Sequence, residues 1–353
     1  MQSESPRLSI LGWDESHREQ LEAPGPGRVL ARVATEHRGY YDLFGLEPDP
    51  LVVADNAVVS PAFRRGATGP LDFPSVGDWV TVSPAAGAEG ADVIETVLSR
   101  RSLFVRRAPG REPRPQAVGA NIDHVLIVTG LDGDLSERRL ERYLAVAYGG
   151  HAQPSIVLSK ADRAGHSDDI ADALVAIDRV APGVRVIVTS SVSRRGVDEL
   201  ADLAADNSTV ALVGSSGVGK SSLVNALVGE QLQLVQETRQ DGRGRHTTVR
   251  RDLIPMASGG LLLDTPGMRE VQLWDDSGLD QAFPEIAEAA ADCRFGDCAH
   301  SGEPGCAVAA AVDTGLISAA RLASYRQLEA EVEALHDELE ERRRNRGEGR
   351  RER

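Results

Sequence analysis

The chain has 353 residues, 41% of them hydrophobic and 26% charged, enough for two or three globular domains of about 100–200 residues each. Its formal net charge of −15 excludes binding to nucleic acid through the overall field, because neutralising phosphates takes Lys and Arg, so any such contact must come from local clusters. No apolar run approaches the roughly 18 residues of a membrane span, and no basic segment followed by an apolar core opens the chain, so a cytoplasmic address without membrane contact is expected.

Residues 1–27 read as an N-terminal extension, in which the short helical pattern WDESHREQLE ends in the breaker run APGPG. From 28 to 110 the runs RVLARVA, AVVSPAF, DWVTVSP, DVIETVL and SLFV are short and β-like, separated by Gly, Pro and Asp turns. They predict a small β-barrel, for which an OB-fold is one solution and another small β-domain the alternative. The stretch RRAPGREPRPQ, rich in Arg and Pro, reads as a linker.

The rhythm then changes over 111–278. Apolar runs DHVLIVTG, PSIVLSK, VRVIVTS and TVALVG alternate with helical patterns at SERRLERYLAVAY, DDIADALVAIDRV and KSSLVNALVG, and the β-pair RRDLIPM and GGLLLDT follows. Such alternation predicts a parallel sheet covered by helices. Between the fourth run and its helix lies GSSGVGKSS, in which Gly214, Gly219, Lys220 and Ser221 match G-x-x-x-x-G-K-[ST]. The segment Gly214, Ser215, Ser216, Gly217, Val218, Gly219, Lys220, Ser221 and Ser222 is therefore the predicted phosphate loop. Backbone N–H groups would cradle the phosphates, Lys220 would meet the β and γ oxygens, and the Ser221 hydroxyl would ligate Mg²⁺.

Downstream, Asp264 and Gly267 in LLLDTPG form the D-x-x-G of a second switch, with Asp264 on Mg²⁺ and the Gly267 N–H sensing the γ-phosphate. The polar stretch QETRQDGRGRHTTVRRD between the two motifs reads as a first switch, in which Thr247 or Thr248 would join the metal; Thr248 is the favoured choice. Its five arginines are either solvated or presented to a partner.

Upstream of the phosphate loop, Ser159, Lys160, Ala161 and Asp162 fit the N/T-K-x-D pattern that reads guanine, with Ser in place of the more common Asn. A carboxylate at 162 can accept two hydrogen bonds from guanine, which adenine cannot offer, and the Lys160 stem packs along the base. One βα unit later Ser190 and Ser191 would contact the guanine carbonyl. Lys160 and Lys220 are the only lysines among 39 basic residues, which marks both motifs as places where a compact ammonium cannot be exchanged for a guanidinium. Read in chain order the loops run base, second base, phosphate, switch, switch. This is a GTPase domain cut before its fourth strand and rejoined end to end, a circular permutation that leaves the second switch next to the C-terminal segment.

All three cysteines lie in CRFGDCAHSGEPGC. Cys293, Cys298, His300 and Cys306 supply three thiolates and one imidazole for a tetrahedral Zn²⁺ shell with no open position, hence a structural ion. Residues 279–340 read as a helical zinc-binding domain whose last helix carries the apolar face Leu322, Leu328, Val332, Leu335 and Leu339. Residues 341–353, rich in Arg, read as a disordered tail.

These motifs, together with LGWDESHREQLE, VGDWV, VLSRRSLFVRR, GRHTT and DTPGMRE, resemble in order and identity the circularly permuted ribosome small-subunit-dependent GTPase A family. The resemblance implies an N-terminal OB-fold, a permuted P-loop GTPase domain and a helical zinc domain. It further implies a monomeric GTPase that binds GTP and GDP, acts in late maturation of the 30S subunit, contacts 16S rRNA, and is released by hydrolysis that the small subunit stimulates. A GTP-gated RNA-binding module with little hydrolysis is the alternative. For RNA, the arginine clusters expected to matter are Arg100, Arg101, Arg106, Arg107, Arg111 and Arg114, those of the first switch, and the tail. Met268 stands beside the D-x-x-G where a water-orienting Gln is otherwise used, so His246 is the expected catalytic group, with packing or RNA contact as its other reading.

Overall fold

The computed structural model describes residues 8–14, 27–46, 49–86, 90–108, 110, 113–165, 167–228, 251–256, 258–264 and 272–348. The expected helix at WDESHREQLE lies almost entirely outside them. In the first unit β1 (Val29–Glu36), β2 (Tyr41–Phe44), β3 (Val53–Val59), β4 (Trp79–Ser83) and β5 (Val93–Val97) pair in the order β1-β2-β3-β5-β4 and close through β1 and β4. β3 runs parallel to β5 and the other pairs are antiparallel. This is a closed five-stranded barrel of the OB type. Its interior is filled by Ala31, Val33, Leu43, Ala57, Val80, Val82 and Ile94.

Three expectations change here. The sequence pattern misses β2, because four residues are too few to display a period of two. AVVSPAF is half strand and half helix: β3 stops at Val59 and α1 (Pro61–Gly66) begins. Ser60 caps that helix, its hydroxyl accepting from the Phe63 N–H at 3.0 Å, with Pro61 at the first helical position. The two ends of the expected linker belong to a strand pair instead: β6 (Leu103–Arg107) pairs antiparallel with β7 (Pro115–Ala120) across the boundary expected at 110.

The second unit contains β8 (His124–Gly130), α2 (Glu137–Gly149), β9 (Gln153–Ser159), α3 (Ser167–Val180), β10 (Arg185–Val188) and α4 (Val197–Asp202). It continues with β11 (Thr209–Val213), α5 (Lys220–Val228), β12 (Asp252–Pro255) and β13 (Leu261–Asp264). The strand order is β10-β9-β8-β11-β13-β12, parallel except for β12. β11, which feeds the phosphate loop, stands inside the sheet although three of these strands precede it in the chain. Starting the count at β11 and wrapping round gives the order 6-5-4-1-3-2, a P-loop GTPase sheet with its termini moved to the start of the fourth strand. β1 of the barrel pairs with β12 in register Thr35↔Asp252, so both units share one eleven-stranded sheet.

VGDWV builds the joint between them. Gly77 has φ +90° and its ideal Cβ would sit 2.2 Å from the Ala120 carbonyl oxygen, so only glycine allows this approach. Trp79 is buried and meets the edge of Trp13 at 4.9 Å between ring centroids.

The C-terminal unit comprises α6 (Leu279–Ala282), α7 (Pro284–Ala291), α8 (Ala307–Asp313) and α9 (Ala319–Glu348). Leu322, Leu328, Val332 and Leu335 of α9 are buried, and Leu339 is half-buried. α9 runs to Glu348, past position 341, where the disordered tail is expected to begin. Glu338 with Arg342 (3.1 Å) and Glu340 with Arg344 (3.8 Å) are i,i+4 pairs with the acid on the N-terminal side, the orientation that supports a helix. Residues 349–353 lie outside the described set.

Candidate functional site

The C-terminal ends of β8, β9, β10, β11 and β13 lie along one edge of the sheet, and the predicted base loops after β9 and β10 and the predicted phosphate loop after β11 leave from there. This is the edge at which open α/β sheets bind ligands. Gly214 leaves β11 with φ +147° and an ideal Cβ position 2.3 Å from the Val128 carbonyl oxygen, so a side chain there would push the loop off β8. Lys220 opens α5 and its Nζ donates to the carbonyls of Gly214 and Ser215 at 2.6 and 2.5 Å, which holds the ammonium across the loop. Ser216, Gly217, Ser221 and Ser222 are exposed on the rim, where a polyphosphate would meet the N-terminus of α5.

Ser159 ends β9 and is 2% exposed. Its hydroxyl donates to the Val218 carbonyl of the phosphate loop at 2.5 Å, with the Thr129 carbonyl at 3.2 Å. The serine therefore supplies the tie between base loop and phosphate loop that its departure from Asn leaves open in the sequence. Lys160 follows in the left-handed region (φ 60°, ψ 36°), and Ala161 donates its N–H to the Thr189 carbonyl at 3.0 Å. Asp162 is exposed and accepts from the Ser190 hydroxyl at 2.5 Å. That hydrogen bond holds the Asp162 carboxyl below its ordinary value, as a guanine acceptor requires. Ser190 is buried and orients Asp162, while Ser191 is exposed beside it.

Asp264 ends β13, opposite Asp252 in the β12–β13 ladder. Burial, and then the Asp252 charge, push its carboxyl up, while Lys220 pulls it down. A carboxylate crowded in this way fits a divalent cation, which would favour the ionised form. Gly267, Met268, His246, Thr247 and Thr248 lie outside the described residues.

The loop between β8 and α2 belongs to no motif, yet it touches both nucleotide loops. Asp134 accepts from the Ser215 hydroxyl at 2.7 Å, and Asp132 pairs with Lys160 at 2.6 Å. The signal available in the sequence was two aspartates, LDGDL, directly after a strand of the nucleotide sheet.

Cys293, Cys298, His300 and Cys306 come together in the C-terminal unit, all their ligand atoms within 4.8 Å of one another. Cys293 follows α7, Cys306 caps α8, and the other two lie on the loop between. Cys293 Sγ and Cys306 Sγ are 3.9 Å apart, and each lies 3.6 Å from His300 Nδ1. Tetrahedral bonds of about 2.3 Å to sulfur and about 2.0–2.1 Å to nitrogen give edges of roughly 3.8 and 3.6 Å, so the cluster has the dimensions to hold one such ion. The N–H groups of Ala307 and Ala309 point at the Cys293 and Cys306 sulfurs at 3.3 Å each.

The arginines expected to meet RNA are mostly engaged within the chain. Arg100 grips both carboxylate oxygens of the fully buried Asp78 at 2.8 and 2.7 Å and donates to the Leu71 and Phe73 carbonyls. Arg101 pairs with Asp14 and Asp123, and Arg107 with Glu338. Arg106 donates to Gln116, and Arg251 of the first switch to the Ala117 carbonyl. A clustered charge in the sequence is here a set of separate intramolecular anchors. Arg111 lies outside the described residues.

Comparison with known proteins gives the same picture as the geometry. The family model described as RsgA GTPase matches residues 97–274. The chain is 41% identical to the small ribosomal subunit biogenesis GTPase RsgA of Streptomyces coelicolor, over 93% of this chain and 87% of that protein. To the protein of that name from Xanthomonas axonopodis pv. citri it is 39% identical, over 98% of this chain and 94% of that one. Among solved structures, YjeQ from Thermotoga maritima superposes with a TM-score of 0.64 at 25% identity, covering 86% of this chain and 98% of that one. YloQ, described as a circularly permuted GTPase, gives 0.61 at 25% identity, with 89% and 98% covered. With the loops at Ser159–Asp162, Ser190–Ser191 and Gly214–Ser222 leaving one edge of a permuted sheet and relatives of this likeness along nearly its whole length, the chain belongs to the RsgA GTPase family and is a GTP hydrolase.

Proposed function

We propose that this GTPase acts in late maturation of the small ribosomal subunit, binding 16S rRNA as a monomer in the cytoplasm and leaving when the subunit stimulates GTP hydrolysis. The observation that carries the nucleotide half is the hydrogen bond from Ser159 to the Val218 carbonyl, which fixes the guanine-reading loop against the phosphate loop. In this reading Asp162 accepts from the guanine edge and Lys160 packs along the base. Ser190 and Ser191 supply the loop that contacts the guanine carbonyl, and residues 214–222 bind the phosphates. Mg²⁺ sits between Ser221, Asp264 and Thr248, with the Gly267 N–H on the γ-phosphate.

A structural Zn²⁺ in the Cys293–Cys298–His300–Cys306 cluster stiffens the C-terminal helices. For the RNA half, support shifts from the hairpin arginines to the barrel. Arg38 on the β1–β2 turn and Arg64 and Arg65 on α1 are exposed and have no ion-pair partner among the described residues. Beside Arg38, the His37 ring stacks on Tyr40 at 4.3 Å. Arginine beside stacked rings on an OB-type barrel suits single-stranded RNA.

The test is phosphate release from GTP and from ATP, with and without purified 30S subunits. GTP turnover that rises with subunits is expected; ATP turnover at the same rate, or GTP turnover indifferent to subunits, would refute the reading. We assign positioning of the attacking water to His246. His246→Ala should keep nucleotide affinity and remove the stimulated turnover, and unchanged turnover would sink the assignment.

A further inference from the structure

We propose that Asp132 and Asp134 are positioning residues that lock the phosphate-binding and guanine-reading loops into one rigid seat; the proposal rests on the nucleotide site described above. The topology places their loop where no other could serve. β8 lies between β9, which carries the base loop, and β11, which carries the phosphate loop. The segment leaving its C-terminal end therefore has one of these loops on either side.

The aspartates' short polar contacts fall on those two loops or on the segment's own support, with Arg163 a further 3.9 Å from Asp132 and Leu131 and Leu135 packed on the core. Asp134 Oδ1 accepts from the Ser215 hydroxyl at 2.7 Å and pairs with Arg139 of α2 at 2.8 Å, while Oδ2 lies 3.3 Å from the Thr129 hydroxyl. Asp132 Oδ2 holds the Lys160 ammonium at 2.6 Å. Just before them the Leu131 N–H donates to the Ser159 carbonyl at 3.0 Å. The brace thus joins Ser215 of the phosphate loop to Ser159 and Lys160 of the base loop through the four consecutive residues Leu131 to Asp134. Lys160 stands at φ 60°, a conformation that a non-glycine residue keeps only when its surroundings hold it.

Charge sharpens the inference. Two carboxylates beside a site for a polyanionic nucleotide oppose its binding by Coulomb repulsion. If Asp132 and Asp134 did nothing but carry charge, neutralising them would tighten nucleotide binding. If they position the loops, neutralising them weakens it. The two accounts differ in sign.

The experiment titrates the full-length protein with fluorescent GDP and with a non-hydrolysable GTP analogue, for wild type, Asp134→Ala, Asp134→Asn, Ser215→Ala and the Asp134→Ala/Ser215→Ala double variant. Loss of one charge-assisted hydrogen bond corresponds to a Kd raised by about tenfold for both nucleotides in Asp134→Ala. Ser215→Ala should match it, and the double variant should be no worse than either single, because the two side chains act as a pair. The turnover rate at saturating GTP should fall by much less than the rise in Kd. Asp132→Asn should weaken binding in the same direction by a smaller factor. A Kd that is unchanged or lowered in Asp134→Ala and Asp134→Asn, or additive losses in the double variant, overturns the proposal. Thermal unfolding without nucleotide identifies any variant that merely fails to fold, and the isosteric Asn variant then decides. Asp162→Asn separates this outcome from failure of the site itself. If wild type shows no preference for guanine over adenine nucleotides, or Asp162→Asn keeps it, the site reading fails. If that variant loses the preference while the Asp134 variants bind like wild type, the brace alone fails.

Discussion

Ser159 shows how a single hydroxyl replaces a longer amide. The Val218 carbonyl lies 2.5 Å from its Oγ, so the phosphate loop is already close enough for the shorter side chain, and the buried position leaves little room for Asn. Ser159→Ala should raise the Kd for GDP by about fivefold, the equivalent of one ordinary hydrogen bond of about 1 kcal/mol; an unchanged Kd in a nucleotide titration would mean that the loops are tied elsewhere. Arg100 gives the opposite lesson. Read as an RNA contact, it is the counter-ion of Asp78, whose carboxyl burial pushes up while Arg100 pulls it down. Arg100→Leu leaves that carboxylate buried and unpaired, at a cost of about 3–5 kcal/mol near neutral pH. The sign with pH follows. An acid whose folded pKa is raised loses stability as pH rises from its unfolded to its folded value, so the deficit of Arg100→Leu should narrow as pH is lowered into the range where Asp78 takes up a proton. Urea unfolding across pH, comparing wild type and variant, reads this directly.

At the scale of elements, α2 and α9 are joined by a buried charge network. Glu141 of α2 accepts from Arg321 Nη1 at 2.8 Å and from the Ser324 hydroxyl, while Arg321 also reaches Glu285 and the Ala282 carbonyl and lies 4.2 Å from the Phe283 ring centroid. Glu141 and Arg321 are 2% and 5% exposed, so removing one partner leaves an uncompensated charge. Arg321→Met should cost about 3–5 kcal/mol, and Arg321→Met with Glu141→Leu distinctly less than the sum of the singles; additive losses in chemical denaturation would show that the two residues are not coupled. The Zn²⁺ proposed for the Cys293–Cys298–His300–Cys306 cluster belongs to the same scale. Chelation, or Cys306→Ser, should lower the melting temperature and loosen α7 and α8 before the GTPase sheet, observable as faster amide exchange confined to residues 284–313. These elements were legible in unequal measure. α2, α3 and α5 appear in the sequence because each repeats its apolar positions over at least two helical turns, and the cysteine spacing marks the four side chains that come together. β2 and the β6–β7 pair did not, since a four-residue strand and a stretch rich in Arg and Pro carry no period. The Glu–Arg pairing that carries α9 to Glu348 reads, in composition alone, like a charged tail.

In the whole molecule the proposed nucleotide loops stand out in the sequence because each is a local motif, whereas what holds the units together is not local. Arg32 of β1 is 1% exposed. Its guanidinium donates to the Leu11 carbonyl near the N-terminus, to Gly77 in the barrel at 3.1 Å, and to the Asn121 carbonyl and Thr209 hydroxyl of the GTPase unit at 3.1 and 2.8 Å. These partners are as much as 177 residues away in sequence, so no window over the chain would single out Arg32 among the other arginines. Burial pulls it down to about 10, which still leaves it charged at neutral pH. The fork also lies 5.5 Å from the Trp79 ring centroid, inside VGDWV. A lysine has no planar fork with which to reach four acceptors in three directions. Both Arg32→Met and Arg32→Lys should therefore leave several buried carbonyls unpaired, each worth about 1–3 kcal/mol, and weaken the joint between barrel and GTPase sheet more than either unit alone. In calorimetry wild type should unfold with barrel and GTPase domain in one transition that GDP shifts upward as a whole, whereas in Arg32→Lys the transition should split and GDP should move only the part containing the nucleotide loops. A variant that still melts as one unit, with the full shift, would place the coupling in the β1–β12 pairing and the Thr35–Asp252 hydrogen bond instead.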